Sequence, residues 1–96
     1  MATTQVLVTV FDKSTVASAA VIVQKLRQSG IITELYPAFD KLGKQFKYAD
    51  QQHIPLALVI GPDEINKRQV VIKDLRNSSQ QTVDKDVVIA AIHNLL

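Results

Sequence analysis

Ninety-six residues, with 11 Lys and Arg against 9 Asp and Glu, 47% hydrophobic but only 5% aromatic, fit one small α/β domain (residues 1–96) with an aliphatic core. The absence of cysteine excludes disulfide frameworks, thiolate nucleophiles and cysteine-ligated metal centres. No apolar stretch approaches the roughly 20 residues that cross a bilayer, and residues 1–5 lack the positive region of an export signal, so a cytoplasmic chain with no membrane partner is expected.

Residues 5–11 (QVLVTVF) form a β-branched apolar run of the length of a strand buried on both faces. Ser14 is placed to cap a helix in which Ala19, Ile22, Val23 and Leu26 repeat on one stripe, and Gly30 supplies the left-handed residue that ends it. Residues 31–36 make a second strand, closed by Pro37. Asp40 is placed to cap a second helix with Leu42, Phe46 and Ala49 inward and Lys41, Lys44 and Lys47 toward solvent.

Residues 56–60 (LALVI) form a third strand ending at a Gly61-Pro62 turn. Two more strands follow, over 69–73 and 80–83, and then a helix capped by Asp84 or Asp86 with Val88, Ala91, Ile92 and Leu95 inward. The order β-α-β-α-β-β-β-α predicts right-handed parallel crossovers for the first three strands and an antiparallel fourth. The fold class is therefore three-layer α/β/α, a five-stranded mixed sheet with three helices.

In such sheets the ligand crevice lies beyond the carboxyl ends of the parallel strands. That edge gathers Phe11, Asp12, Phe39, the start of the second helix with Lys41, Lys44 and Gln45, and Asp63-Glu64, with Lys73 and Arg76 reaching it from the side. Such a cluster suits an anionic ligand that carries bases. The plainer reading of Phe39 is a core plug, of the lysines a solvated helix face, and of Asp63-Glu64 turn chemistry.

Catalysis finds no support. His53 and His93 are far apart and lack an acid or hydroxyl at useful spacing. No glycine-rich phosphate loop follows the first strand. No catalytic residue, metal ligand or cofactor is assigned.

Three linked segments, 42–50 (LGKQFKYAD), 54–64 (IPLALVIGPDE) and 70–76 (VVIKDLR), resemble the anticodon-binding domain of class IIa aminoacyl-tRNA synthetases, most closely that of the histidine enzyme. The resemblance covers essentially the whole chain and implies the same five-stranded fold, a histidine tRNA anticodon loop as ligand, and a catalytic domain of the parent synthetase as neighbour. It implies that Glu64 accepts hydrogen bonds from a base edge, that Lys73 beside it donates to base or phosphate oxygens, and that Lys44, Lys47 and Arg76 hold the loop backbone. Phe39 is the candidate stacking platform.

The chain departs from the family pattern at residues 66–68 and 77–79, where glycine-containing turns are usual. It also lacks every adenylation motif, so the domain itself is expected to be non-catalytic. The same fold also serves regulatory and protein-interaction modules, which is the alternative function.

Overall fold

The computed structural model describes residues 3–96; of the stretch 1–5 read as lacking an export signal, Met1 and Ala2 lie outside the described residues. The sheet contains β1 (Val6–Val8), β2 (Thr33–Leu35), β3 (Leu56–Val59), β4 (Gln69–Asp74) and β5 (Ser79–Asp84), in the spatial order β2-β1-β3-β4-β5. β1 pairs in parallel with both β2 and β3, and β4 runs antiparallel to β3 and to β5. The mixed sheet expected from the sequence is thus observed.

Among the described residues four α-helices surround it: α1 (Val16–Gln28), α2 (Leu42–Gln51), α3 (Pro62–Lys67) and α4 (Val88–Leu95). The sequence had suggested three. The additional one is α3, which forms where a turn was expected. Gly61 is extended, Pro62 stands at the first helical position, and the Glu64 carboxylate accepts the Gly61 N–H at 2.8 Å. A six-residue helix carries too short an apolar stripe to be read as periodic.

Residue pairing and burial divide the sheet into two faces. On one, Val6, Val8, Leu56, Leu58, Val70 and Ile72 pack with α1 and α4. On the other, Leu7 packs with Ala49 of α2 and with Val10, Tyr36 and Ile54. β1 is an interior strand flanked by β2 and β3, and its three residues are fully buried, as the continuous apolar run required.

Three caps differ from expectation, that of α4 among them: Val87 holds its N-cap, and Asp84, before the intervening 3-10 turn, makes no side-chain cap. Asp12, not Ser14, caps the entry to α1: its carboxylate accepts from Ser14 N at 2.8 Å while the Thr15 hydroxyl accepts from Asp12 N at 3.2 Å. Lys41, not Asp40, stands at the N-cap of α2 and makes no side-chain cap. Asp40 instead accepts from the Tyr36 hydroxyl at 2.6 Å and lies 3.7 Å from the Lys44 ammonium. Gly30 behaves as read, with φ of 82° and the Ile31 N–H closing on Leu26 O at 3.0 Å.

The inward face of α2 is rotated from the expected one, because Gln45 is fully buried while Leu42 and Phe46 are only partly so. Its side-chain amide donates to Val10 O at 2.7 Å and to Asp40 O at 2.8 Å, and its oxygen accepts from Val10 N at 2.8 Å. Val10 lies just beyond β1, so its peptide groups have no ladder partner there. Gln45 satisfies them and fixes α2 to the carboxyl end of the parallel strands.

The far end of β4 is tied differently. Asp74 is buried and receives Nε and Nη2 of Arg76 at 3.0 and 2.9 Å and the Arg76 backbone N–H at 3.0 Å. Hydrogen bonding from the Arg76 side chain, opposed by burial and aided by the backbone donor, holds the Asp74 carboxyl below its ordinary value. A folded-state value below the unfolded one, about 3.9, means stability that is present above that pH and lost as pH falls through the folded value. The stability difference between the wild type and Asp74→Asn should therefore shrink as urea midpoints are taken below about pH 4. A gap constant from pH 6 to pH 2 would show that the ion pair contributes nothing.

Candidate nucleic-acid interface

In the antiparallel half of the sheet, residues directly opposed across a strand pair point to the same side. Ala57 opposes Lys73 and Lys73 opposes Gln80; Val59 opposes Val71 and Val71 opposes Thr82; Gln69 opposes Asp84. This is the face on which α2 lies, but α2 covers only the parallel half. Gln80, Thr82 and Asp84 are exposed, and Val59, Gln69, Val71 and Lys73 are partly so. The result is an open shelf of amides, a hydroxyl and a carboxylate on a valine base, bounded on one side by a helix.

Lys73 sits at the boundary. Its ammonium lies 4.3 Å from the centroid of the Phe46 ring, which holds the charge over α2 at the margin of the shelf. Lys47 follows Phe46 on the exposed side of α2. Lys73 and Phe46 therefore line the seam between helix and sheet, with Lys47 on the solvent side of α2, and Lys73 presents a donor beside the shelf without being buried.

The other residues named from sequence fall elsewhere. Lys44 is exposed on α2 and paired loosely with Asp40. Arg76 is already engaged: besides Asp74, its Nη2 donates to Leu95 O at 2.6 Å, joining the end of β4 to the last carbonyls of α4. Phe39 is no core plug. It is 61% exposed and borders a shallow apolar hollow with Val10, Val16 and Tyr36 at the carboxyl edge of the sheet, which suits a stacking surface. Phe11, 48% exposed at the same edge, lies against Gly61, where an added Cβ would come within 3.3 Å of its ring.

Glu64 does not stand beside Lys73. It lines a cleft on the opposite side of the sheet, facing α1, and one of its oxygens is held by the Gly61 N–H. The cause is strand alternation: Val70 and Ile72 point toward α1, so Lys73 points toward α2. A joint reading of one base by this pair is not what the geometry favours. Sequence reasoning missed Gln69, Gln80, Thr82 and the role of Phe46. The alternation of residues 80 and 82 opposite 73 and 71 becomes informative only once the register of β4 and β5 is known.

Around this edge two tyrosine–carboxylate bonds tie the β2–α2 loop to itself and α2 to β2. Tyr36 donates to Asp40 at 2.6 Å and Tyr48 to Glu34 at 2.8 Å, and the two rings meet edge to face at 5.6 Å. Each hydroxyl titrates above the ordinary tyrosine value, first because it donates to a carboxylate and second because it is desolvated. Among the described residues no group of three or more His, Cys, Asp and Glu could hold a metal ion, and no helix is long and apolar enough to cross a membrane.

This five-stranded mixed sheet with helices on both faces is the fold of the anticodon-binding domains of tRNA synthetases. The chain belongs to that family, whose model, described as anticodon binding domain, matches residues 5–95. Its relatives are histidine–tRNA ligases. That of Cytophaga hutchinsonii is 44% identical over 86 residues, covering 90% of this chain and 19% of that protein. That of Porphyromonas gingivalis is 36% identical over 91 residues, covering 93% of this chain and 20% of that protein. The histidyl-tRNA synthetase of Nostoc sp. PCC 7120 superposes with a TM-score of 0.94 at 29% identity, over 97% of this chain and 22% of that one.

The domain is thus of the histidyl-tRNA synthetase type. The RNA binding domain of threonyl-tRNA synthetase from Cryptosporidium parvum shares the fold, with a TM-score of 0.86 at 19% identity over 94% of this chain and 23% of that one. The chain spans about a fifth of the length of the ligases it matches.

Proposed function

We propose that residues 1–96 act as one domain that binds the anticodon loop of histidine tRNA and serves a cytoplasmic histidine–tRNA ligase, whose catalytic domain performs the chemistry. The observation that supports this reading best is the open shelf of β4 and β5 with Lys73 held over Phe46 at its margin. Unstacked loop bases are read by hydrogen bonds to their edges and by stacking, and phosphates by basic side chains. The shelf offers edge partners in Gln69, Gln80 and Thr82; the seam offers a cation in Lys73, and the exposed side of α2 adds Lys44 and Lys47 for phosphates. Phe39 is a stacking surface at the carboxyl edge. Arg76 and Glu64 have weaker claims, since both already make intramolecular bonds.

A gel shift with histidine tRNA and with the same tRNA altered at the anticodon tests the proposal. The unaltered tRNA is expected to bind more tightly, with Glu64→Ala weakening it less than Lys73→Ala. Equal binding of both tRNAs would remove anticodon reading.

A further inference from the structure

On the side of the sheet away from Lys73, α1, α3 and the 3-10 turn Lys85–Val87 before α4 enclose a cleft of about 210 Å³. Its floor is aliphatic, formed by Ile22, Ile60 and Val70 of the main core, and Val21, an exposed residue of α1, makes one wall. Three cations, Lys25, Arg68 and Lys85, stand around it. The Lys85 N–H donates to Arg68 O at 3.0 Å, which keeps two of them adjacent. Among the described residues none of the three makes an ion pair, and the one acid in the lining, Glu64, is bonded to Gly61.

Arg68 adds a second observation. It ends α3 with φ of 53° and ψ of 45°, in the left-handed region that glycine enters freely and a residue with a Cβ does not. Helix termination alone would be served better by glycine. Arginine at this position puts a basic residue in the lining of the cleft against the preference of its own backbone.

Size and chemistry narrow the occupant. The volume is below the roughly 300–1,000 Å³ of small-molecule sites and suits a single anchoring side chain. The walls hold no aromatic ring on which a nucleobase could stack, whereas an aliphatic side chain matches them. The three unpaired cations call for carboxylates beside that anchor. We infer that this cleft docks a peptide segment of a protein partner in which an aliphatic side chain is flanked by acidic ones. The aliphatic group enters between α1 and α3, and the carboxylates meet Lys25, Arg68 and Lys85. The site is on the opposite side of the sheet from the RNA shelf, and the inference stands independently of the proposed function.

The test is a titration of the isotopically labelled chain with the synthetic peptide acetyl-Glu-Asp-Leu-Glu-Asp-amide, followed by amide chemical shifts. The control peptide carries Gln and Asn in place of Glu and Asp. The acidic peptide is expected to shift Val21, Ile65, Arg68 and Lys85 and to leave Lys73 and Gln80 unmoved, and the neutral peptide to shift none. Arg68→Gly is expected to weaken peptide binding about tenfold, the loss of a charge-assisted bond, while its urea midpoint holds or rises because glycine suits the backbone there. The inference is overturned by equal response to both peptides, by no response to either at millimolar concentration, or by an anticodon stem-loop RNA that shifts the cleft amides and displaces the acidic peptide.

Discussion

Replacing Gln45 by alanine is expected to destabilise the domain by about 3–5 kcal/mol, because it strips partners from three backbone groups at once. The side chain has no exposed surface, and it bonds Val10 N, Val10 O and Asp40 O at 2.7–2.8 Å. An unsatisfied buried donor or acceptor costs roughly 1–3 kcal/mol, and the lost packing adds to it. Against a total stability of about 5–15 kcal/mol for a typical domain, the loss is large. Urea denaturation followed by circular dichroism reads it directly. A midpoint shift equivalent to less than about 1 kcal/mol would mean that water replaces the amide at little cost.

Gln45→Glu sharpens the same test. It keeps an acceptor for Val10 N but turns an oxygen toward two carbonyl oxygens, so at neutral pH it should be nearly as harmful as alanine. Protonation returns a donor, so the variant should recover part of its stability relative to the wild type under mildly acidic conditions.

The second large effect concerns RNA. Lys73→Ala is expected to weaken binding of histidine tRNA by about 1–3 kcal/mol, roughly fivefold to 150-fold. The effect on folding should be small, because an exposed cation–π contact contributes about 0.5–1 kcal/mol. If the ammonium meets a phosphate, the slope of log affinity against log salt should fall by about 0.7 in the variant. If it meets a base edge, the slope should change little and anticodon discrimination should fall instead. Affinity unchanged by Lys73→Ala would remove the seam between α2 and β4 from the interface.

These two residues differ in how much their sequence context discloses. Lys73 occurs in a strand segment recognisable from VVIKD, where it is the first charged residue after a continuous apolar run. Gln45 carries no such signal. It lies in the first turn of a basic helix, where a polar residue ordinarily meets water, and Val10, 35 residues away, becomes its partner only when α2 is laid across the end of β1. Arg76 shows the reverse error. It reads as a free cation after a strand, yet buried Asp74 and the terminal carbonyls of α4 claim it.

Local sequence alone determined the strands, the helices with a sustained apolar stripe, the left-handed ending at Gly30 and the change from parallel to antiparallel pairing. Each follows from short-range preference and periodicity. It could not determine that the proline-initiated segment Pro62–Lys67 closes into a helix, because so short an element depends on the sheet beneath it. Nor could it place Glu64 and Lys73 on different sides of the sheet. Their separation of nine positions contains a helix end and the register of β4, and a shift of one residue in that register would exchange the two faces. Tertiary packing decides the register, and with it which cations border the open shelf and which surround the cleft behind it.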